Sequence, residues 1–155
     1  MIQRIQSLLL FISAALLAVS FFTPVWQASS NGAEYFLDVF KLSIRYESTH
    51  IEKMTVYAAI LIGLSIALTL FIVLKYKNRV LQIRLNMMNT ILICLIEGFY
   101  FWNIRDAKSL IGTAAYTEVF GAAFYMPLAA LILSILAGRS IQKDEDLIKS
   151  VDRIR

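Results

Sequence analysis

Four long runs of apolar residues divide this chain, and they limit its fold more than any other feature. The first extends from about Leu8 to Trp26 and the second from about Met54 to Leu74, neither with a charged residue. The third, from about Leu85 to Trp102, holds one acid, Glu97, and the fourth, from about Val119 to Ala137, contains Pro127. Each run approaches the roughly 20 residues that a helix needs to cross a bilayer. Each is apolar around the whole helix, as lipid requires, because hydrocarbon offers no partner for free backbone groups. Barrel strands are excluded: they are shorter, they alternate polar with apolar, and four of them cannot close. With 59% hydrophobic and only 17% charged residues, the 155-residue chain departs from soluble composition in the same direction.

The expected fold is an all-α membrane protein, a bundle of four transmembrane helices over 1–138. A short β-hairpin or sheet is expected in the first extracytoplasmic loop, 27–53, and a cytoplasmic amphipathic helical tail over 139–155. The first run begins beside a basic residue, Arg4, but exceeds a usual signal core and lacks a small-x-small cleavage site after Trp26, so it is read as a retained anchor.

Basic residues set the expected orientation. Arg4, then Lys75, Lys77, Arg79 and Arg84, then Arg139, Lys143, Lys149, Arg153 and Arg155 fall in connections that share one side of a four-span protein. The other side has Lys41, Arg45, Lys53, Arg105 and Lys108 in longer loops. The positive-inside rule puts the dense set, and both termini, in the cytoplasm. Phe21, Phe22, Trp26, Tyr57, Tyr100, Trp102, Tyr116 and Phe120 then gather near the outer boundary and Tyr76 near the inner one. The net charge of +4 is an orientation and anionic-lipid signal. Without a basic, aromatic-interleaved patch it does not point to nucleic acid.

In the first outer loop, Ser29-Ser30-Asn31-Gly32 reads as a turn. From Glu34 to Tyr46 an imperfect alternation places Phe36, Phe40, Leu42, Ile44 and Tyr46 on one side, interrupted by Asp38, with Ser43 and Arg45 on the other. An interfacial amphipathic helix is the competing reading. The second outer loop, 103–118, carries Arg105, Asp106 and Lys108 and is expected to pack against the first.

Few residues offer chemistry. On the third run Asn86, Asn89, Thr90 and Glu97 fall on one helical stripe, which has to face other helices or water. An intramembrane carboxylate is a candidate proton, cation or substrate contact. The blander reading is a satisfied ion pair, with Arg105 or outer-loop donors in reach of Glu97 and the asparagines joining helices. Small residues at spacing four, Ala14 and Ala18, Ala59, Gly63 and Ala67, and Ala130, Ser134 and Gly138, let backbones approach, within this bundle or against another membrane protein. Pro127 is expected to kink the fourth helix.

In the tail, Ile141, Leu147, Ile148, Val151 and Ile154 approximate a helical face, with Glu145 four residues before Lys149. Asp144, Glu145 and Asp146 read as the acidic start of that helix. The face is a candidate partner-docking surface, or the tail folds under its own bundle. No catalytic, cofactor-binding or metal-binding set is apparent, and the chain is read as a non-enzyme. His50 stands alone, and one cysteine, Cys94, expected to be buried mid-helix, excludes internal disulfide chemistry.

The opening Met1-Ile2-Gln3-Arg4-Ile5-Gln6-Ser7-Leu8 and the ending from Arg139 to Arg155 resemble a family of four-helix membrane proteins of unknown function from Bacteroidetes-type bacteria. The resemblance implies a cell inner membrane, with loop 27–53 periplasmic. Two functions follow as expectations. One is an accessory or scaffold subunit that binds a larger inner-membrane complex. The other is a small transporter or channel that uses the stripe on the third helix. The bilayer is the first partner in either case, and a homo-oligomer is left open.

Overall fold

The computed structural model describes residues 2–46, 49–75, 78–112 and 114–152, with side chains described from Ile5 to Ser150 within those ranges. Four helices, α1 (Ile2–Val19), α2 (Val56–Leu74), α3 (Arg79–Ile111) and α4 (Ala122–Asp152), are long and apolar enough to cross a membrane. α1 packs against α2 and α4, and α3 packs against the same two, so the four close into a ring. Both the α1–α2 and the α3–α4 connections enter one sheet, so successive helices run in opposite directions.

That sheet makes the chain more than all-α. It has five antiparallel strands, β1 (Trp26–Ser30), β2 (Ala33–Leu37), β3 (Lys41–Tyr46), β4 (Thr49–Met54) and β5 (Thr117–Phe120), in the order β4-β3-β2-β1-β5. β1 and β2 turn at Asn31 and Gly32, both with positive φ (50° and 78°). This is the backbone a two-residue hairpin needs, and one that Asn and Gly adopt at least cost. β5 comes from the second connection and pairs with β1, Trp26 opposite Phe120. Lys53 on β4 pairs with Asp106, so segments 27–53 and 103–118 are in contact, although the second continues α3 as far as Ile111 and is not a loop there.

The alternation across 34–46 was misassigned in β2. Leu37 lies opposite Leu42 and Tyr35 opposite Ile44. Four residues, Asp38 to Lys41, separate Leu37 from Leu42, so the inward face changes from odd numbers to even across the turn. Ala33, Tyr35 and Leu37 are therefore buried and Phe36 is not, while Leu42 is buried as expected. Tyr46, at the far end of β3, is exposed.

The apolar runs and the helices also differ at their ends. α1 gives way to a 3-10 turn, Ser20–Phe22, and stops, since Pro24 has no N–H to donate and disfavours helix at Thr23. Trp26 belongs to β1, Met54 to β4, and Val119 and Phe120 to β5, all extended because each is paired in the sheet. α3 exceeds its apolar run at both ends. Its first turn is capped by the Asn78 side chain, which accepts from the Leu81 N–H at 3.1 Å, and it ends at Gly112, whose φ is 71°. α4 crosses position 139 without a break. Asp144, Glu145 and Asp146 thus lie far inside a helix, and the dipole role expected of them does not apply.

The inner sheet face and the adjoining half of the bundle share one apolar core, including Leu17, Trp26, Leu37, Leu42, Ile62, Ile93, Ile96, Ile104 and Ala130. A smaller cluster, Leu10, Ile72 and Ala137, fills the far half. Gly121 joins sheet to bundle: its N–H donates to the Val25 carbonyl at 2.9 Å. A Cβ there would stand 2.0 Å from the Pro24 carbonyl oxygen, so only glycine fits.

Candidate functional site: the buried polar stripe of the third helix

Asn86, Asn89 and Glu97 are buried and Thr90 is partly so, which puts the whole stripe against other helices. Its members then divide. Asn89 faces α2, where its Oδ1 accepts from the Ser65 hydroxyl at 2.8 Å and its Nδ2 donates to the Thr69 hydroxyl at 3.0 Å. Asn86 faces α4. Its Nδ2 donates to the Ser134 carbonyl at 2.9 Å and its Oδ1 accepts from the Ser134 hydroxyl at 3.2 Å. Thr90 donates to the Asn86 carbonyl at 2.9 Å and lies 3.1 Å from the Ser134 hydroxyl. Side-chain bonds of this kind between apolar helices are worth about 0.6–2 kcal/mol each.

Gly138 makes room for this contact, since a Cβ there would lie 2.6 Å from Asn86 Nδ2. Ala130 and Ser134 of the same spacing are buried, and Ser13 of α1 donates to the Ala130 carbonyl at 3.2 Å. On α2 only Ala59 of its seam is buried, whereas Gly63 and Ala67 face outward.

Glu97 behaves differently. It is 6% exposed, yet neither carboxylate oxygen has a hydrogen-bond partner among the described residues. The expected pairing with Arg105 or an outer-loop donor does not form. The Leu128 N–H of α4 faces the carboxylate without completing a bond. Tyr100, one turn further along α3, is 1% exposed and its hydroxyl is likewise unpartnered. Sequence reasoning singled out Glu97 but not Tyr100, which the belt of boundary aromatics concealed; spacing of i and i+3 to an acid was the available signal.

At the far end the polar contacts centre on Asp144 of α4. Its carboxylate accepts from Gln6 of α1 at 2.6 Å, and its backbone carbonyl accepts from Arg79 of α3 at 3.2 Å. Gln82 of α3 donates to the Ile72 carbonyl of α2 at 3.1 Å. Gln6 and Gln82 do not stand out in the sequence, because each is a single polar side chain at the edge of an apolar run, and Arg79 and Asp144 are read there for their charge and not for these contacts.

The tail face is split. Ile141 is buried and belongs to the bundle, while Leu147 and Ile148 are exposed beyond it. Lys149 pairs with Glu145 at 3.5 Å. The side chains of Arg4 and Val151 are outside the described residues, as are Tyr76, Lys77, Arg153, Ile154 and Arg155 altogether. Cys94 faces outward from α3 rather than into the bundle. His50 lies exposed on β4, opposite Arg45.

In the sheet, Trp26 Nε1 donates to Glu118 at 2.8 Å and Lys108 pairs with the same carboxylate at 2.8 Å. The Lys108 ammonium, with the indole N–H behind it, holds the Glu118 carboxyl below the usual range for a glutamate.

No curated protein matches the chain. A family model described as Domain of unknown function (DUF4293) matches residues 2–154, and the chain belongs to that family.

Proposed function

We propose that the protein is a multi-pass inner-membrane protein with both termini cytoplasmic, acting as an accessory or scaffold subunit of a larger membrane complex. Four exposed aromatic side chains, one from each helical segment, support the membrane reading: Phe22, Tyr57, Trp102 and Tyr125. Contacts between neighbours put those of α2, α3 and α4 at a similar height, with Tyr57 against Phe99 and Phe101 against Phe124. Interfacial aromatics of this kind mark a bilayer boundary. On α2, the 18 residues from Tyr57 to Leu74 cover about 26 Å of apolar length, close to one hydrocarbon core. The basic set at the far end supports the orientation, and the family resemblance supports the inner membrane.

The pairing of Asn86, Asn89 and Thr90 carries the scaffold reading. Their polar groups are spent on Ser65, Thr69 and Ser134, which makes the middle of the bundle rigid and leaves no chain of free polar groups along α3 for a channel. α4, at 31 residues, extends about 46 Å and so projects past a bilayer, where Leu147 and Ile148 are offered to a partner.

The test is co-purification from gently solubilised membranes. Deleting the tail from Arg139 would remove Ile141 and Asp144, which the bundle itself needs, so the better variant is Leu147→Asp with Ile148→Asp. A larger complex that co-purifies with the natural chain and is lost with the double variant is the expected result. A chain that runs alone, or only with copies of itself, defeats the proposal.

A further inference from the structure

Just below the sheet the four helices meet in one layer. Tyr57 of α2 lies against Phe99 of α3, with ring centres 5.8 Å apart, and Phe101 meets Phe124 of α4 at 5.4 Å. At the end of α1 the Ser20 hydroxyl, which donates to the Leu17 carbonyl, approaches the Tyr100 hydroxyl. Glu97 and Tyr100 bring three buried polar atoms without hydrogen-bond partners into this layer. The remaining unpartnered buried side-chain atoms among the described residues are the hydroxyls of Thr23 and Thr55, where α1 ends and α2 begins.

An ionised carboxylate buried without a partner is among the costliest groups a fold can hold. The groups facing Glu97 are the Tyr100 hydroxyl on its own helix and the Leu128 N–H of α4, with Ser20 of α1 behind the tyrosine. No Lys, Arg or His pairs with it among the described residues. Among the described residues nothing compensates its charge.

We propose that Glu97 and Tyr100 form a binding site for a small monovalent cation, a proton or a sodium ion, reached from the sheet side. The unpartnered atoms of Glu97 and Tyr100 are all oxygens, which suits a hard cation, and the single carboxylate balances one charge rather than two. The Thr23 and Thr55 hydroxyls continue the polar layer toward the sheet. The site does not depend on the scaffold reading, and the test uses the isolated chain.

The experiment uses the full chain in lipid nanodiscs at fixed neutral pH. Thermal unfolding is compared in sodium chloride and choline chloride, and the carbonyl stretch of a protonated carboxylic acid is recorded by infrared spectroscopy. With sodium as occupant, sodium chloride raises the unfolding midpoint and Glu97→Gln, which preserves side-chain size, abolishes the response. With the proton as occupant, the acid carbonyl band is present, shows no sodium dependence and disappears in Glu97→Gln. Tyr100→Phe is expected to weaken the sodium response or shift the carbonyl band while the fold is retained. A carboxylate that is ionised and indifferent to sodium overturns the proposal, and a Tyr100→Phe variant identical to the natural chain in both readouts removes Tyr100 from the site.

Discussion

The two ends of the bundle treat buried polar groups in opposite ways. At the far end and through the middle, Gln6, Gln82, Asn86, Asn89 and Asp144 all have partners on a neighbouring helix. Just below the sheet, the side-chain oxygens of Glu97, Tyr100, Thr23 and Thr55 have no partner among the described residues. The apolar packing is distributed the other way: the larger core lies under the sheet and only a small cluster fills the far half. Where apolar contact is scarce, hydrogen bonds hold the helices together. Where it is plentiful, the fold tolerates polar atoms left for another use.

The comparison can be tested by substitution, with unfolding followed in nanodiscs or mixed micelles. The largest effect is expected from Gly121→Ala, which drives a Cβ into the Pro24 backbone and separates sheet from bundle. A loss of about 3 kcal/mol or more is expected, as for other changes that force backbone apart. If Gly121→Ala unfolds like the natural chain, the sheet is not anchored as described. Asn89→Ala removes two bonds to α2 and should cost about 0.6–2 kcal/mol.

Acid provides a smaller perturbation. Because the folded-state pKa of Glu118 is depressed, its contribution is fully present above the ordinary carboxylate range and is lost as pH falls through it. The pair is partly exposed, so the loss should stay below about 1 kcal/mol. Lower protection factors for the β5 amides at about pH 3 than at neutrality, with the intrinsic pH dependence of exchange divided out, would show it, and Glu118→Gln should remove that difference. The smallest loss is expected from Thr55→Val. The buried hydroxyl has no partner to lose among the described residues, so the change should cost nothing and can raise stability by about 1 kcal/mol. A cost as large as that of Asn89→Ala would erase the distinction between the two ends.

Much of the helical framework was legible in the sequence, because lipid-compatible helices are apolar on every side and leave long unbroken runs. The ends of the helices were not. Hydropathy marks only the apolar stretch of each helix, whereas α3 and α4 continue past it on turns whose exposed faces carry charge, such as Arg105 and Lys143. β5 was hidden for a related reason: Val119 and Phe120 are as apolar as the helix that follows, and only their pairing with Gln27 and Trp26 makes them strand. The stripe of Asn86, Asn89, Thr90 and Glu97 could be read from helical periodicity, but its partners could not. Whether Asn89 meets Thr69 or nothing depends on how two helices cross, which no local pattern records. The isolation of Glu97 depends in the same way on what three other helices place opposite it.

The pairing of Trp26 with Phe120 also has a consequence for the order in which the molecule can be completed. β1 to β4 are contiguous in the chain and can form a meander as soon as they are made, but the free edge of β1 waits for β5 until almost all of the first three helices exist. An open strand edge attracts other strands, and pairings between distant segments form late. Pairing of β5 therefore follows the completion of α3: a product truncated before Thr117 would keep α1 to α3 but leave the β1 edge of the sheet unpaired.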